Sequence, residues 1–374
     1  MKFLTKQSVT EFEQVNRALE NEGLNTLSGE SDIKRLGEGS WHYAYLVERD
    51  QLVLRIPKKV AYEEAVVFNR DQLTAEYGAT EAFYKTANQA QKGMCPEYFR
   101  YFIDEDLTYT LESYMGETLG LEGQTQEQSE QYGREMGDFF RALEEIDPPY
   151  KGIGYLEVAK NGELKGGLDM DLSACIVEER GEYEEELHNL LSSAFDFNKE
   201  KVAAAGKKFI PNRSIDREKR ILTNQDTSPE NLIFTSSGVK MIDPVPLLYT
   251  GTSIAANHVF NYRTFFPTVY DTRRYAKGNY HLYANLLKVH ADGFVEGYTH
   301  GSEQKRMDLH IEVFLKLVTM AHAHLELLQE ETLMKEQIIR FGTKEQIEKR
   351  LQIYLTELEN FQVEVSLGEG SEGF

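Results

Sequence analysis

The stretch that decides the fold reads Ile221-Leu222-Thr223-Asn224-Gln225-Asp226-Thr227-Ser228-Pro229-Glu230-Asn231-Leu232-Ile233-Phe234, then Gly238-Val239-Lys240-Met241-Ile242-Asp243. An aspartate precedes an asparagine by five positions, and a second aspartate ends the next apolar run. The apolar runs 221–223, 232–234 and 239–242 predict short strands, and the Ser-Ser-Gly turn predicts a hairpin between the last two. The hairpin would bring Asn231 and Asp243 to neighbouring positions.

These residue types match the requirements of phosphoryl transfer. That reaction needs a carboxylate that accepts a hydroxyl proton, and oxygen ligands that hold Mg²⁺ against the phosphates. We therefore predict Asp226 as the catalytic base and Asn231 and Asp243 as ligands of Mg²⁺. The alternative is a β-hairpin with solvated polar residues, because the pattern D-x-x-x-x-N also occurs by chance. Motifs upstream favour the catalytic interpretation.

The same stretch resembles the protein-kinase-like fold, whose catalytic loop reads H-R-D-x-x-x-x-N and whose metal aspartate begins D-F-G. Asn224 stands in place of the histidine, Gln225 in place of the arginine, and Ile242-Asp243-Pro244 in place of D-F-G. Without that arginine and without a later A-P-E sequence, the chain is more similar to the aminoglycoside phosphotransferase and choline kinase family than to protein kinases. The resemblance implies transfer of the ATP γ-phosphate to a hydroxyl of a small molecule, with Mg²⁺ bridging the phosphates.

A glycine-containing turn lies between two predicted strands near the N-terminus. Gly37, Gly39 and Ser40 would let backbone N–H groups approach the phosphates of ATP. The turn resembles the start of the kinase glycine-rich loop, with His42 in place of the third glycine. A tight turn without a ligand is the alternative.

The next strand, Leu52–Ile56, carries a candidate phosphate-binding residue. Alternation places Val53 and Arg55 on one face, so Val53 can line an adenine pocket while Arg55 reaches the phosphates. Arg55 corresponds to the lysine of the kinase V-A-I-K motif, and choline kinases, which the chain resembles at this position, also use arginine. Lys58 and Lys59 are alternatives, although a solvated basic turn suits them better because Pro57 ends the strand.

A helix predicted over 71–87 should carry the carboxylate that pairs with Arg55, as the resemblance implies. We expect this residue to be Glu76, with Glu81 as the competitor. Farther along, Ser113 and Tyr114 resemble the hinge of the family, in which an extended backbone pairs with the edge of adenine, and Gly116 would then let the chain turn into the second lobe. The alternative is an ordinary strand end.

Composition excludes several classes of protein. The chain has 374 residues, and its net charge of −21 argues against nucleic acid as a partner. No apolar run approaches the ~20 residues that span a membrane, and two cysteines are too few for a disulfide framework, so we expect a cytoplasmic protein. The excess of 62 acidic over 41 basic residues is compatible with a cationic acceptor, and acidity for solubility alone is the alternative.

These motifs together predict an α+β, bilobal protein-kinase-like fold with a small antiparallel-β N-lobe and a larger, mainly helical C-lobe. The expected divisions are 1–27, an N-terminal helical appendage; 28–115, the nucleotide-binding N-lobe; and 116–374, the catalytic and substrate-binding C-lobe, with 150–220 as a substrate-shaping insertion. The aromatic stretch 258–285 is interpreted as core packing, with an aromatic wall for a substrate as the alternative. The alternative function is a pseudokinase that binds nucleotide without catalysis.

Overall fold

The N-terminal lobe of the computed structural model, which describes residues 10–39 and 41–363, is built on an antiparallel sheet. Its strands are β1 (Ile33–Glu38), β2 (His42–Val47), β3 (Leu52–Pro57), β4 (Val60–Ala61), β5 (Glu64–Ala65), β6 (Phe99–Ile103) and β7 (Thr108–Ser113). The sheet has the order β1-β2-β3-β7-β6, and β4 pairs with β5 as a separate hairpin. This arrangement matches the predicted antiparallel-β N-lobe and places β3 at the centre of the sheet.

Two helices complete the small lobe. The first, α1 (Glu11–Asn21), begins with a capping box formed by Thr10 and Glu13. Its apolar side packs on the sheet in a cluster that includes Leu19 and Leu54, so the described part of the predicted N-terminal appendage belongs to the core of this lobe. The second, α2 (Arg70–Ala90), contacts β6 and also packs against strands of the C-terminal lobe.

The C-terminal lobe is mainly helical. Its helices are α3 (Gln126–Leu143), α4 (Leu172–Ser192), α5 (Lys199–Phe209), α6 (Gly251–Phe260), α7 (Phe266–Thr268), α8 (Ala284–Thr299), α9 (Glu303–Gln329), α10 (Lys335–Phe341) and α11 (Lys344–Asn360). Its strands are β8 (Ile153–Val158), β9 (Leu164–Leu168), β10 (Arg220–Asn224), β11 (Leu232–Thr235), β12 (Gly238–Met241) and β13 (Pro246–Thr250). With the sheet of the small lobe, this helical lobe confirms the predicted bilobal α+β fold.

The block 150–220 is tied firmly to the rest of the helical lobe. Strands β8 and β9 extend the sheet of the catalytic stretch, in the order β10-β13-β8-β9. Just before β10, the guanidinium of Arg213 is buried, and its Nε and Nη1 atoms donate hydrogen bonds at 2.6 Å to Glu312 on α9 and Glu179 on α4. Tyr249 and Ser253 accept from its remaining nitrogen. This network fixes α4 against α9.

The aromatic stretch 258–285 forms core, as predicted. Phe260, Tyr262, Phe266 and Tyr280 are buried in the main hydrophobic cluster of the helical lobe. None of the helices in the described ranges is both long enough and apolar enough to cross a membrane.

Helices α3 and α8 cross at backbone contact. Gly133 and Gly137 on α3 meet Gly293 and Gly297 on α8, and each lies against the backbone of the opposite helix. A Cβ atom added at Gly133 would lie 1.9 Å from the carbonyl oxygen of His290, and one added at Gly137 or Gly297 would lie 2.2 Å from a carbonyl oxygen. The crossing therefore excludes side chains at all four positions.

We expect Gly133→Ala to lower the free energy of unfolding by about 1–3 kcal/mol or more, because the helices must separate to admit a methyl group. The matched control is Gly181→Ala on α4, where an added Cβ meets no atom within 4 Å. That control should raise stability by roughly 0.5–1 kcal/mol through helix propensity. Urea unfolding measures both, and a Gly133 variant as stable as the parent would contradict the close crossing.

Candidate active site

A cleft of about 2640 Å³ lies between the two lobes, and both lobes line it. Ten of the residues predicted for the site line this cleft: Gly37, Gly39, Val53, Arg55, Glu76, Ser113, Tyr114, Asp226, Asn231 and Asp243. Ser40, also predicted to bind nucleotide, lies outside the described residues.

The predicted hairpin brings two of these side chains together. Leu232 pairs with Met241 in the β11–β12 ladder, so the residues just outside the ladder, Asn231 and Ile242, also face one another. The Ile242 N–H donates to the Asn231 carbonyl at 3.0 Å, and Asn231 Nδ2 donates to the Asp243 carbonyl at 3.3 Å. Asp243 has a φ of +50°, a left-handed conformation that is uncommon for residues other than glycine.

The loop that carries Asp226 is held by the buried amide of Asn224. Asn224 Oδ1 accepts hydrogen bonds from the backbone N–H groups of Asp226 at 3.0 Å and Val245 at 2.7 Å. Asp226 Oδ1 accepts from the Ser228 N–H at 3.1 Å. Burial, followed by the charge of Asp243, raises the pKa of the Asp226 carboxyl above its ordinary value, and Ser228 opposes the shift. Asn224 thus connects the loop of Asp226 to the chain after Asp243.

Helix α6 and the residues that directly follow it support the same loop. His258 Nδ1 and Thr227 Oγ1 lie 2.7 Å apart in a hydrogen bond, and Tyr262 Oη donates to the Thr227 carbonyl at 3.1 Å. Asn257 Nδ2 donates to the Gln225 carbonyl at 3.1 Å. The sequence analysis missed these supports, because no local pattern relates the aromatic stretch to the catalytic loop.

Arg55 lies in a closed circuit of polar contacts that joins the two lobes. Its Nε donates to Glu112 Oε1 at 2.9 Å, and its Nη1 lies 3.7 Å from Asp243 Oδ2. Tyr84 Oη donates to Glu112 Oε2 at 3.0 Å and accepts from the Asp243 N–H at 3.2 Å. Glu112 is only 2% exposed, so the pair is shielded from solvent.

The predicted pairing of Arg55 with Glu76 or Glu81 is wrong. Glu112 on the adjacent strand is the partner, because it lies diagonally across from Arg55 on the same face of the sheet. Glu81 instead pairs with Lys85 on its own helix at 2.7 Å. Glu76 faces the cleft, and its side chain is exposed. Partial desolvation by the surrounding protein, followed by the charge of Asp243, raises the pKa of Glu76 to about 7.

The glycine turn approaches Asp243, the aspartate that is predicted to bind Mg²⁺. A Cβ added at Gly39 would lie 3.9 Å from Asp243 Oδ2, so the loop covers that end of the cleft. Trp41 is 49% exposed and packs edge-on against Tyr62, with ring centroids 5.5 Å apart. His42 Nε2 lies 2.9 Å from the Tyr77 hydroxyl, within hydrogen-bonding distance, and burial lowers the pKa of His42 to about 4.

The backbone of the predicted hinge is partly occupied. The Ser113 N–H donates to the Tyr98 carbonyl at 3.0 Å, and the Tyr114 N–H donates to the Gln51 carbonyl at 2.9 Å. Neither amide is therefore available to adenine. The next amide along the chain, that of Met115, has no hydrogen bond to a described residue, and Met115 lines the cleft.

The donors near Asp243 fit a magnesium ion. The Asn231 amide nitrogen is engaged, which leaves its Oδ1 and the Asp243 carboxylate as hard oxygen donors. The described residues contain no group of three or more His, Cys, Asp or Glu that could hold a metal alone. Mg²⁺ is commonly bound through one or two protein carboxylates together with substrate phosphates, so a small donor set suits it.

We expect Tyr84→Phe to lower the free energy of unfolding by about 1–3 kcal/mol, because it removes one hydrogen-bond partner each from a buried carboxylate and a backbone amide. The control is Tyr101→Phe on β6, whose hydroxyl has no hydrogen bond to a described residue, and it should cost no more than about 0.5 kcal/mol. Equal unfolding midpoints for the two variants would show that the circuit does not stabilise the protein.

Comparisons with known proteins identify the fold. No protein-family model and no curated protein matches the sequence. The GDP complex of wild-type aminoglycoside 2'-phosphotransferase-IIIa matches with a TM-score of 0.51 and 12% identity, over 95% of this chain and 99% of that chain. The apo form of a thermostable mutant of aminoglycoside phosphotransferase APH(4)-Ia matches with a TM-score of 0.51 and 13% identity, over 90% and 97%.

A choline/ethanolamine kinase family protein from Mesorhizobium loti is more weakly similar, with a TM-score of 0.48 and 14% identity over 93% of this chain and 99% of that chain. At such identities the likeness establishes the fold and not the reaction. The chain therefore has the bilobal, kinase-like fold of the aminoglycoside phosphotransferases, as the resemblance of its catalytic stretch predicts.

Proposed function

We propose that the protein is an ATP-dependent phosphotransferase that transfers the γ-phosphate to a hydroxyl group of a small molecule. The observation that carries the proposal is the convergence of Asp226, Asn231, Asp243 and Arg55 on one cleft. Each of these residue types has a place in phosphoryl transfer, where catalysis consists mainly of positioning and charge stabilisation.

The comparisons are consistent with this proposal. One neighbour of the same fold is a nucleotide complex of an aminoglycoside 2'-phosphotransferase. Another is a ternary complex of a thermostable mutant of aminoglycoside phosphotransferase APH(4)-Ia with ADP and hygromycin B, with a TM-score of 0.51 and 12% identity. Both are described as complexes of a phosphotransferase with a nucleotide. For this chain, nucleotide binding and transfer are part of the proposal.

Asp226 is the proposed base. It would accept the proton of the acceptor hydroxyl while that oxygen forms a bond to the γ-phosphorus and the bond to the β-phosphate oxygen breaks. The hydrogen bond from Ser228 holds its Oδ1 in place, and Asn224 fixes the backbone beneath it. The raised pKa of Asp226 makes the carboxylate a better proton acceptor than an exposed aspartate.

Arg55 and Asp243 are the proposed phosphate end of the site. The two Nη atoms of Arg55 would donate to phosphate oxygens, because the hydrogen bond to Glu112 uses only Nε. Asn231 Oδ1 and the Asp243 carboxylate would hold Mg²⁺, which when bound neutralises the charge of the β- and γ-phosphates. The backbone of Gly39 covers the same region, and with Gly37 it would approach the phosphates.

The adenine is proposed to lie between Val53 and the hinge. Val53 is buried and lines the cleft on the same face of β3 as Arg55. Because the amides of Ser113 and Tyr114 are engaged, the Met115 N–H is the proposed hydrogen-bond donor, with the two hinge residues contributing contact surface.

The proposed acceptor is a small molecule, because the features with which protein kinases organise a peptide platform are missing from the sequence. Strand β8 of the block 150–220 contributes Tyr155, Leu156 and Glu157 to the cleft, and the Tyr155 hydroxyl bonds to Gln225 next to the proposed base. We propose this block as the wall that shapes the acceptor site. A cytoplasmic location remains a prediction from composition.

We expect Asp226→Asn to retain Mg-ATP binding and to lower kcat by about 10²–10⁴-fold, because loss of a general base affects the transition state more than the bound state. Turnover is measured by ADP release with an identified acceptor, and affinity by calorimetry. The control is Asp169→Asn, which removes an exposed carboxylate outside the cleft and should match the parent. If parent and Asp226→Asn bind nucleotide equally and neither consumes ATP with any acceptor, the pseudokinase alternative is favoured.

Trp41, the only tryptophan in the chain, should report nucleotide binding, because it lies in the loop over the phosphate end of the cleft. We expect Mg-ATP to change its emission in a saturable manner, and Arg55→Ala to weaken the titration through loss of a charge-assisted contact. Lys59→Ala serves as a control because it removes a nearby charge outside the circuit. Binding detected by calorimetry without any change in emission would show that the loop does not contact the nucleotide.

A further inference from the structure

One wall of the cleft, formed by residues after Thr250, is rich in basic side chains, and Glu63 and Glu230, which pair with two of them, also line the cleft. Among the described residues after Thr250 that line the cleft, none is acidic and five are basic. The basic residues are Arg273, Arg274, Lys277, Lys316 and Arg340. This wall lies beside the proposed base, since the charge of Arg274 acts on Asp226 to lower its pKa. The net charge of −21 therefore gives the wrong sign for this part of the cleft.

The five basic residues differ in their partners. Three of them form ion pairs at 2.7–3.1 Å: Arg273 with Glu63, Arg274 with Glu230, and Arg340 with Glu336. Lys277 and Lys316 have no ion pair or hydrogen bond to any residue that the structure describes. Lys277 is exposed, where water solvates an ammonium group well, whereas Lys316 is mostly enclosed at the base of the wall.

Lys316 lies on α9, which packs against α6, the helix that supports the loop of Asp226. The Ser253 hydroxyl of α6 donates to Glu312 Oε2 of α9 at 2.7 Å, which fixes the register of the two helices. One turn farther along each helix lie Asn257 and Lys316, and both line the cleft. Asn257 in turn donates to the carbonyl of Gln225, the residue before the proposed base. Lys316 therefore lines the same cleft as the residue that supports the loop of the proposed base.

The ammonium group of Lys316 is poorly compensated within the protein. Burial lowers its pKa to about 8, and the charge of Glu186 opposes that shift only in part. Glu186 Oε2 accepts from the Thr319 hydroxyl at 2.7 Å and is not within ion-pair distance of the lysine. A buried cation without a counter-ion costs free energy, and an anion in the cleft would supply one.

We propose that the acceptor carries an anionic group, a carboxylate or a phosphate, which Lys316 binds while the acceptor hydroxyl lies at Asp226. The inference rests on the proposed function for the position of the hydroxyl. It replaces the cationic acceptor expected from composition, because the sign of a local field depends on the few charges that line the site and not on the total.

Anion binding is tested first, separately from catalysis. Inorganic phosphate and acetate are titrated at constant ionic strength in the presence of Mg²⁺ and saturating non-hydrolysable ATP analogue, which occupies all three phosphate positions. Calorimetry measures the affinity. We expect at least one anion to bind the parent protein, and Lys316→Met to weaken that binding by about tenfold to hundredfold, as for loss of a charge-assisted contact.

Two further variants complete this experiment. Lys316→Arg should retain binding because it keeps the charge, and Lys288→Met, which removes an exposed lysine of α8 outside the cleft, should match the parent. Which of the two anions binds decides between a phosphate and a carboxylate. If neither anion binds, or if both bind Lys316→Met as tightly as the parent, the anionic site does not exist, whatever the catalytic activity.

Turnover is tested next with glycerol 3-phosphate, glycerate, glycerol and choline as hydroxyl compounds of different charge. We expect an anionic compound to have the highest kcat/KM, and Lys316→Met to raise its KM by about tenfold or more while kcat changes little. Preference for choline or glycerol over both anions would overturn the inference. Anion binding that depends on Lys316, without ATP consumption by any compound, would instead contradict the phosphotransferase proposal alone.

Discussion

The ion pair between Arg55 and Glu112 constrains the whole interlobe cleft. A guanidinium on the cleft face of the central strand has to be neutralised where water is scarce, and the neighbouring strand supplies the carboxylate. Burial disfavours the charged form, but Glu112 and Asp243 more than offset it and raise the pKa of Arg55 above its ordinary value. Such a pair stabilises only if its other oxygens and protons are also satisfied. Tyr84 meets that condition and brings Asp243 into the same circuit.

This circuit also determines which parts of the site depend on one another. Strands β3 and β7, helix α2 and the chain after β12 each contribute one member, so both lobes share the end of the cleft that is proposed to bind the phosphates. The proposed acceptor end is built differently, from β8, α6, α9 and the segment around Arg274. Acidic side chains lie at the proposed phosphate end, where a metal is expected, and basic side chains lie at the proposed acceptor end.

Much of the fold follows from local patterns. The strands of the small lobe, the Asn231–Asp243 hairpin and helix α2 were predictable because alternation, helical spacing and turn residues are encoded within short windows. The partner of Arg55 was not, because several acidic residues are equally compatible with a pair and only the register of β3 against β7 selects Glu112. The support of the catalytic loop by His258 and Asn257 was missed for the same reason, since it depends on tertiary packing.

The glycine crossing of α3 and α8 bears on how such a protein can change during evolution. Most core positions accept any apolar side chain of suitable volume, which is why proteins 12–13% identical can share this fold. Positions where two backbones touch have no such freedom, because even the smallest side chain collides with a carbonyl oxygen. Sequence drift can therefore remodel the acceptor wall and leave this crossing unaltered, so that distant relatives with the same crossing should keep two glycine pairs, each spaced by four residues.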